Sequence, residues 1–186
     1  MTRLVILGKQ GAGKGTQCAL LAKHYHIPHI STGDMLRTTV AEGTHLGLQA
    51  KAIMEAGELV SDEIILGIVH ERLTQADAQL GFLLDGFPRT DAQAQGLMAM
   101  LAPNKIDVAL DIDVPDDVVT KRMLARGRDD DTPEAIQRRL ELYQTETAPL
   151  LELFSEGGFL VSVDGLGTEL EVHARVIDAI ERNRSL

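Results

Sequence analysis

An apolar run at residues 4–7 passes directly into the sequence Gly-Lys-Gln-Gly-Ala-Gly-Lys-Gly-Thr at residues 8–16. A buried strand followed by a glycine-rich turn and a helical pattern is what this order predicts. The glycines let the backbone approach an anion closely, and the helix N-terminus adds partial positive charge at the same point. Lys14 can then reach the outer phosphates. The segment therefore predicts a site for a polyphosphate.

The spacing differs in one respect from the general pattern of phosphate-binding loops. The residue after the lysine is Gly15, and the hydroxyl comes one place later, at Thr16. The alternative is a plain glycine turn that binds nothing, which the order of strand, glycines, lysine and helix disfavours.

Composition narrows the class of protein. A chain of 186 residues with 44% hydrophobic residues fits one well-buried core and is short for two. The net charge of −10 argues against a general nucleic-acid binder. We expect neither a segment that spans a bilayer nor a signal peptide, and the single cysteine, Cys18, excludes an intrachain disulfide framework. We expect a cytoplasmic protein with neither nucleic acid nor a membrane as partner.

Apolar runs alternate with helical patterns along the chain. Strands are predicted at residues 4–7, 29–30, 82–84, 108–112 and 159–163, and helices at residues 14–26, 33–42, 47–56, 62–76, 91–101, 116–126, 133–155 and 169–182. The alternation predicts an α/β fold, with a parallel sheet covered on both faces. Ligands are then expected beyond the C-terminal ends of the strands.

Asp85 directly follows a predicted strand and precedes the sequence Gly-Phe-Pro-Arg at residues 86–89. A carboxylate at the end of a strand beside the phosphate-binding loop is well placed to organise Mg²⁺, and the contact can pass through water. The alternative is a structural aspartate that caps the next turn.

Arginines gather in one part of the sequence, at Arg122, Arg126, Arg128, Arg138 and Arg139. Arg122 and Arg126 share a helix face, whereas Arg138 and Arg139 cannot both point at one ligand. The group indicates a phosphate clamp, because guanidinium groups bind phosphate oxygens in pairs. The alternative is a solvated basic face paired with the aspartates at residues 129–131.

Three smaller features have simpler interpretations. Residues 31–34 are ordinary helix-capping chemistry, but Arg37 one turn later could hold a phosphate beside a hydroxyl that contacts a base. His24, His26 and His29 are not expected to bind a metal, since His24 and His26 face apart. Cys18 is expected to be a small buried hydrophobe.

Together these segments resemble the adenylate kinases, the nucleoside-monophosphate kinases of the P-loop class, over essentially the whole chain. The motifs are residues 11–16, residues 31–34 with Arg37, residues 85–89, and residues 128–131 followed by Arg139. The resemblance implies a P-loop NTPase-type three-layer α/β/α core with a five-stranded parallel sheet, in one domain of residues 1–186. A helical NMP-binding segment, residues 31–60, and a short lid loop, residues 126–132, would be inserted in it.

The implied activity is reversible, Mg²⁺-dependent transfer of a phosphoryl group from ATP to AMP, which gives two ADP. The transfer would be in line, with no general base, by an enzyme that acts as a monomer. Thr32 and Thr90 favour AMP over the pyrimidine monophosphates, which related kinases accept. A UMP/CMP kinase and a nucleotide-sensing module without turnover are the alternatives.

The resemblance also assigns residues. The ATP site would be Gly11, Ala12, Gly13, Lys14, Gly15, Thr16, Arg126 and Gly167. The AMP site would be Thr32, Arg37, Glu58, Leu59, Val60, Gly86, Phe87, Pro88, Arg89, Gln93, Arg128 and Arg139. The groups acting on the phosphoryl in transit would be Lys14, Arg89, Arg122, Arg128 and Arg139, and Asp85 would orient the waters of Mg²⁺.

The chain departs from the family pattern at two places. The family usually has proline at position 10, and here the loop carries Lys9 and Gln10, from which we expect a tuned phosphate affinity. Many bacterial relatives have a longer lid, often with four cysteines that bind zinc, and here the lid is short, so no structural zinc is expected.

Overall fold

The computed structural model describes residues 2–43 and 45–184. Its five strands all run parallel, in the order β2-β3-β1-β4-β5. They are β1 Thr2–Leu7, β2 His29–Ser31, β3 Gly81–Asp85, β4 Val108–Asp113 and β5 Leu160–Asp164. The predicted α/β fold with a five-stranded parallel sheet is confirmed.

Helices connect the strands. They are α1 Lys14–Tyr25, α2 Thr32–Ala41, α3 His45–Glu55, α4 Asp62–Leu73, α5 Asp91–Leu101, α6 Asp116–Arg126, α7 Pro133–Leu142, α8 Pro149–Glu156 and α9 Glu169–Arg184. Several begin where local chemistry favours it. Thr132, for example, caps α7 by accepting a hydrogen bond from the Ala135 N–H at 3.2 Å, with proline at the first helical position.

The alternating side chains of β1 divide the core between the two faces of the sheet. Leu4 and Ile6 pack with buried residues of α1, α6 and α9. Val5 and Leu7 pack with buried residues of α2, α3, α4, α5 and α8. Because successive residues of a strand point to opposite faces, one apolar strand supports both helical layers. The structure is therefore a three-layer α/β/α arrangement.

The helix expected at residues 133–155 is not continuous, and this prediction was wrong in detail. A π-helical turn, Tyr143–Thr147, separates α7 from α8, and the Ala148 N–H donates to the Tyr143 carbonyl at 2.7 Å, five residues back. Pro149 has no N–H to donate, and in a regular α-helix its ring would crowd the carbonyl four residues earlier. The wider turn relieves that conflict, and π-helical turns are frequent at functional sites.

None of the helices within the described residues is long and apolar enough to cross a membrane.

The parallel strands end at one edge of the sheet. Ser31 lies opposite Asp85 in the pairing of β2 with β3, and Ile6 lies opposite Asp85 in the pairing of β1 with β3. The segments that follow β1, β2 and β3 therefore converge, and a ligand site is expected beyond them.

Candidate active site

The phosphate-binding loop, residues 8–16, joins β1 to α1. Gly13 precedes α1 in the left-handed region at a φ of 96°, which glycine adopts at low cost. Gly8 and Gly11 also lie too close to backbone atoms for larger residues. A Cβ on Gly8 would be 2.6 Å from the Ile112 carbonyl oxygen, and one on Gly11 would be 2.7 Å from that of Val119. The glycines thus fix the loop against β4 and α6.

Lys14, the first residue of α1, folds back over this loop. Its ammonium donates to the carbonyls of Gly8 at 2.7 Å and Lys9 at 2.9 Å. Burial lowers the pKa of Lys14 from 10.5 to about 8, although the charge of Asp85 opposes the shift. The group is therefore a desolvated cation, whose attraction for a phosphate is stronger than it would be in water.

A cavity of about 470 Å³ lies over the loop. Its lining includes most of the residues predicted for ATP and for phosphoryl transfer: Gly11, Gly13, Lys14, Gly15, Thr16, Asp85, Arg89, Arg122, Arg126, Arg128 and Arg139. In a chain of net charge −10, this is a concentrated positive surface. It suits a ligand with several phosphates.

A second, smaller cavity of about 60 Å³ adjoins the first. It is lined by residues predicted for AMP: Thr32, Arg37, Glu58, Leu59, Val60, Gly86, Arg89, Gln93 and Arg139. Arg37, Arg89 and Arg139 line both cavities. The two spaces therefore meet at a group of arginines.

Three predicted residues line neither of these cavities. Ala12 is buried within the phosphate-binding loop, and Phe87 is fully buried in the core. Gly167 lies after β5, at a φ of 117°. Arg122 links that region to the phosphate-binding loop, because it donates to the carbonyls of Ala12 at 3.3 Å and Gly165 at 3.4 Å.

Asp85 ends β3 and faces the larger cavity. Its Oδ2 atom lies 3.2 Å from Nε2 of His29 on the neighbouring strand. Burial alone would raise the pKa of Asp85, but the hydrogen bond from His29 and the charge of Lys14 hold the pKa below its usual value. The carboxylate is therefore ionised. A carboxylate beside a phosphate site is a donor that Mg²⁺ favours, so the residues present fit that ion.

His29 and Cys18 were not expected near Asp85. Their ligand atoms and that of Asp85 lie within 4.8 Å of one another. The proximity of His29 follows only from the pairing of the strands. Once β2 is placed beside β3, His29 comes two residues before the partner of Asp85.

Arg89 is held from several directions. Its Nε donates to the Gly86 carbonyl at 2.8 Å, and its backbone N–H donates to Oε1 of Gln93 at 2.7 Å. Thr147, in the π-helical turn, donates to the Arg89 carbonyl at 2.8 Å. Burial lowers the pKa of Arg89, with the charge of Asp85 opposing the shift. Thr147 is a support that sequence reasoning missed, because the turn containing it was predicted as regular helix.

Short polar contacts surround Thr32 and Arg37, which line the smaller cavity. Thr32 is buried and donates to the Gly86 carbonyl at 2.9 Å. Ser31 caps α2 by accepting from the Asp34 N–H at 3.2 Å, and Arg37 pairs with Asp34. The helix cap expected at residues 31–34 therefore coexists with a position at the cavity wall.

Gln93 is oriented by Asp62, another residue that sequence reasoning missed. Its Nε2 donates to Oδ1 of Asp62 at 2.7 Å, and the same oxygen accepts from the Thr90 hydroxyl at 3.0 Å. Thr90 in turn caps α5, accepting from the Gln93 N–H at 3.2 Å. With Nε2 committed to Asp62, the amide of Gln93 has a fixed orientation at the cavity wall.

The arginines of loop 126–132 and α7 are paired with the aspartates that follow them. The buried Asp131 accepts two hydrogen bonds from Arg126, at 2.8 and 2.9 Å, and one from Arg139 at 3.2 Å. Arg139 also pairs with Asp130. Arg126 and Arg139 also line the large cavity. The ion pairs with aspartate therefore do not exclude the predicted phosphate clamp.

Comparison with known proteins agrees with this geometry. The family model for adenylate kinase matches residues 6–159. An adenylate kinase of Stenotrophomonas maltophilia is 47% identical over 185 residues, covering 96% of this chain and 99% of that protein. Adenylate kinase 1 of Nostoc sp. is 49% identical over 174 residues, covering 92% of this chain and 95% of that protein. An adenylate kinase of Xanthomonas campestris is 46% identical over 186 residues, covering 97% of this chain and 100% of that protein. Because the family model matches most of the chain and the relatives are matched over nearly their full lengths, the chain belongs to the adenylate kinase family.

Proposed function

We propose that the chain transfers a phosphoryl group between ATP bound over the phosphate-binding loop and AMP bound in the smaller cavity. Family membership makes it a nucleoside-monophosphate kinase, an ATP:AMP phosphotransferase. The observation that carries the assignment of the two sites is that the two cavities share Arg37, Arg89 and Arg139. Two phosphate-bearing ligands placed there would face each other across these cations.

On the ATP side, Lys14 and the backbone of residues 11–16 hold the phosphates. Arg126 lies against the adenine and phosphates, and the Gly167 backbone contacts the base. Support comes from the bridge that Arg122 makes between the loop and the region after β5, which brings both ends of an ATP molecule within reach.

On the AMP side, Arg37 and Arg89 bind the phosphate, while Thr32, Gln93 and the backbone of residues 58–60 contact the base. The fixed amide of Gln93 supports a base-reading role, because a pre-oriented group loses little entropy on binding. Acceptors other than AMP would have to match the same amide.

Transfer needs no general base, because the acceptor phosphate is already an anion. Lys14, Arg89, Arg122, Arg128 and Arg139 neutralise charge on the transferring group, and the two cavities set the in-line geometry. Asp85 would hold Mg²⁺ through water, and the ion would offset negative charge on the phosphates. The ionised state of Asp85 suits that role.

Water competes with AMP as acceptor, so the site must close before transfer. We assign closure to segment 31–60 and loop 126–132, carried on one domain of residues 1–186. Both border the cavities, and their motion can limit turnover. The enzyme is proposed to act as a cytoplasmic monomer without structural zinc, in keeping with its single cysteine and short lid.

The test uses purified protein with Mg²⁺ and ADP alone, and follows ATP and AMP by chromatography. We expect both products to grow equally, and EDTA to stop the reaction. Lys14→Ala should lower kcat by ~10² or more, whereas Lys23→Ala, on the exposed side of the same helix, should not.

Competition among AMP, UMP and CMP as acceptors of phosphate from ATP then tests the choice of acceptor. AMP should react fastest. Faster UMP or CMP turnover would identify a pyrimidine-monophosphate kinase, and tight ADP binding without products would identify a sensor.

A further inference from the structure

Lys9 lies in the phosphate-binding loop, yet its side chain points away from the ligand space. Its Nζ donates to the Val114 carbonyl at 3.0 Å and lies 2.7 Å from Oδ1 of Asp116. Only 19% of the Lys9 side chain is exposed. The lining of the large cavity includes Gly8 and Gln10 but leaves Lys9 out. The ammonium is thus committed to the junction between β4 and α6.

One face of α6 lies along the phosphate-binding loop and contacts it at three positions. Asp116, Val119 and Arg122 are three positions apart, so they share a face of the helix. They contact Lys9, Gly11 and Ala12 in that order: the ion pair of Asp116, the close approach of the Val119 carbonyl to Gly11, and the hydrogen bond from Arg122 to the Ala12 carbonyl at 3.3 Å.

The backbone fixed by Lys9 is the backbone that holds the phosphate-binding lysine. The Lys9 carbonyl accepts from the Lys14 ammonium at 2.9 Å. The side chain of Lys9 therefore anchors the loop from outside, while its carbonyl orients Lys14 inside. In this family a proline usually stiffens the neighbouring position 10, and here an ion pair to α6 restricts the loop instead.

We propose that Lys9 is a positioning residue for ATP, which docks the phosphate-binding loop on the first turn of α6 through Asp116. It acts through Lys14 and the loop backbone and does not touch the nucleotide. This inference rests on the proposed ATP site. It predicts an effect on ATP affinity that leaves AMP affinity unchanged.

The competing explanation is a direct attraction between Lys9 and the phosphates. A substitution of Asp116 distinguishes the two explanations. If Lys9 positions the loop, Asp116→Asn weakens ATP binding, as Lys9→Met does. If Lys9 acted on the phosphates through its charge, releasing it from Asp116 would tighten ATP binding. Asp117→Asn is the matched control, because it removes the same charge one residue away, where Asp117 pairs with Lys121.

The experiment measures the Kd of an unreactive ATP analogue by calorimetry, together with kcat and KM for each substrate. We expect Lys9→Met to raise the Kd about fivefold, in keeping with loss of a partly buried ion pair and a charged hydrogen bond. Relative to Asp117→Asn, Asp116→Asn should raise the Kd by a similar factor. The double variant of Lys9→Met with Asp116→Asn should raise the Kd little further than Lys9→Met alone. Lys9→Arg should retain most of the affinity, and the KM for AMP should not change.

The proposal fails if Lys9→Met binds the analogue like the wild type, if Asp116→Asn binds it more tightly than Asp117→Asn, or if the two losses simply add. Lys121→Met, an exposed partner on the same helix, serves as the neutral lysine control. Failure of the proposed function would be seen separately, as a wild-type protein that makes no ATP from ADP. Thermal unfolding of each variant shows whether a loss of affinity reflects a folded protein.

Discussion

Arg138 of α7 and Glu58 are joined by two parallel hydrogen bonds, at 2.6 Å from Nε to Oε1 and 3.1 Å from Nη2 to Oε2. The contact connects segment 31–60 to the helix that follows loop 126–132. Gly57 lies against the same helix, where a Cβ would be 2.6 Å from the Ala135 carbonyl oxygen, and Arg139 donates to the Met54 carbonyl at 3.0 Å. The end of segment 31–60 therefore packs on α7.

This geometry predicts that Glu58 serves AMP through its backbone alone. Its side chain is turned to Arg138 and is partly exposed, and exposed ion pairs contribute little. Glu58→Ala should therefore change the KM for AMP less than about threefold. Arg139→Met, which removes a cation shared by both cavities, should raise it about tenfold or more. Steady-state kinetics with AMP varied compares the two, and a large loss in Glu58→Ala would contradict backbone use.

The lowered pKa of Lys14 predicts a pH dependence. Burial brings this pKa to about 8, so the ammonium loses its proton as the pH rises through that value. Because kcat/KM for ATP reports the free enzyme, it should fall above about pH 8. Lys14→Arg keeps its charge at all these pH values, so its slower reaction should show no such fall. A wild-type profile that stays level to pH 9.5 would contradict the role of Lys14.

The same pKa makes a prediction for stability. Since the pKa of Lys14 is about 8 in the folded protein and has its ordinary value of 10.5 in the unfolded chain, the unfolded chain holds more protons between these values. The contribution of Lys14 to stability therefore rises with pH through that window, and below it the charged group is a burden. Lys14→Met should raise the free energy of unfolding at pH 7 by about 1–3 kcal/mol. Urea unfolding at pH 7 and pH 10 measures the difference, which should shrink at the higher pH.

The sheet could be predicted from sequence because its signal is local. Most of the strands contain a short apolar run, and the run at residues 4–7 is followed by glycines, which predict a turn. The π-helical turn could not be predicted in the same way. Pro149 follows it in the sequence, but a proline can break a helix in several ways.

The motif residues could be predicted as a group, whereas their partners could not. Asp62, His29 and Thr147 support Gln93, Asp85 and Arg89 from 31, 56 and 58 residues away in sequence. No local pattern relates such positions. They are brought together only when β2 pairs with β3 and when α4 and α8 pack beside α5.

Asp131 predicts a loss of stability on substitution and in acid. Its buried carboxylate accepts hydrogen bonds from Arg126 and Arg139 and from the Arg128 N–H at 3.2 Å. Burial raises its pKa, but these partners outweigh burial and hold the pKa below the ordinary 3.8. The contribution is therefore complete above about pH 4 and is lost as the pH falls through the lowered pKa.

Asp131→Asn should lower the free energy of unfolding at pH 7 by about 2–4 kcal/mol, because it removes the buried carboxylate that Arg126 and Arg139 share. Asp129→Asn removes an exposed charge from the same loop and should change it by less than about 0.5 kcal/mol. Unfolding curves between pH 3 and 7 test both, and equal losses in the two variants would contradict the role of burial.

Asp62 predicts a change in acceptor preference. Its Oδ1 accepts from Nε2 of Gln93 at 2.7 Å, and the Arg89 N–H donates to the amide oxygen. Together they fix one orientation of the amide at the wall of the smaller cavity. In Asp62→Asn the side chain at position 62 can also donate, so it no longer selects the orientation of the Gln93 amide, which is then held by the Arg89 N–H alone. The KM for AMP should rise about five- to tenfold, and the preference for AMP over UMP should narrow by a similar factor. Glu63→Gln, exposed on the same helix turn, should change neither. If Asp62→Asn raised the KM for AMP and UMP equally, Asp62 would support the fold of the site without selecting the base.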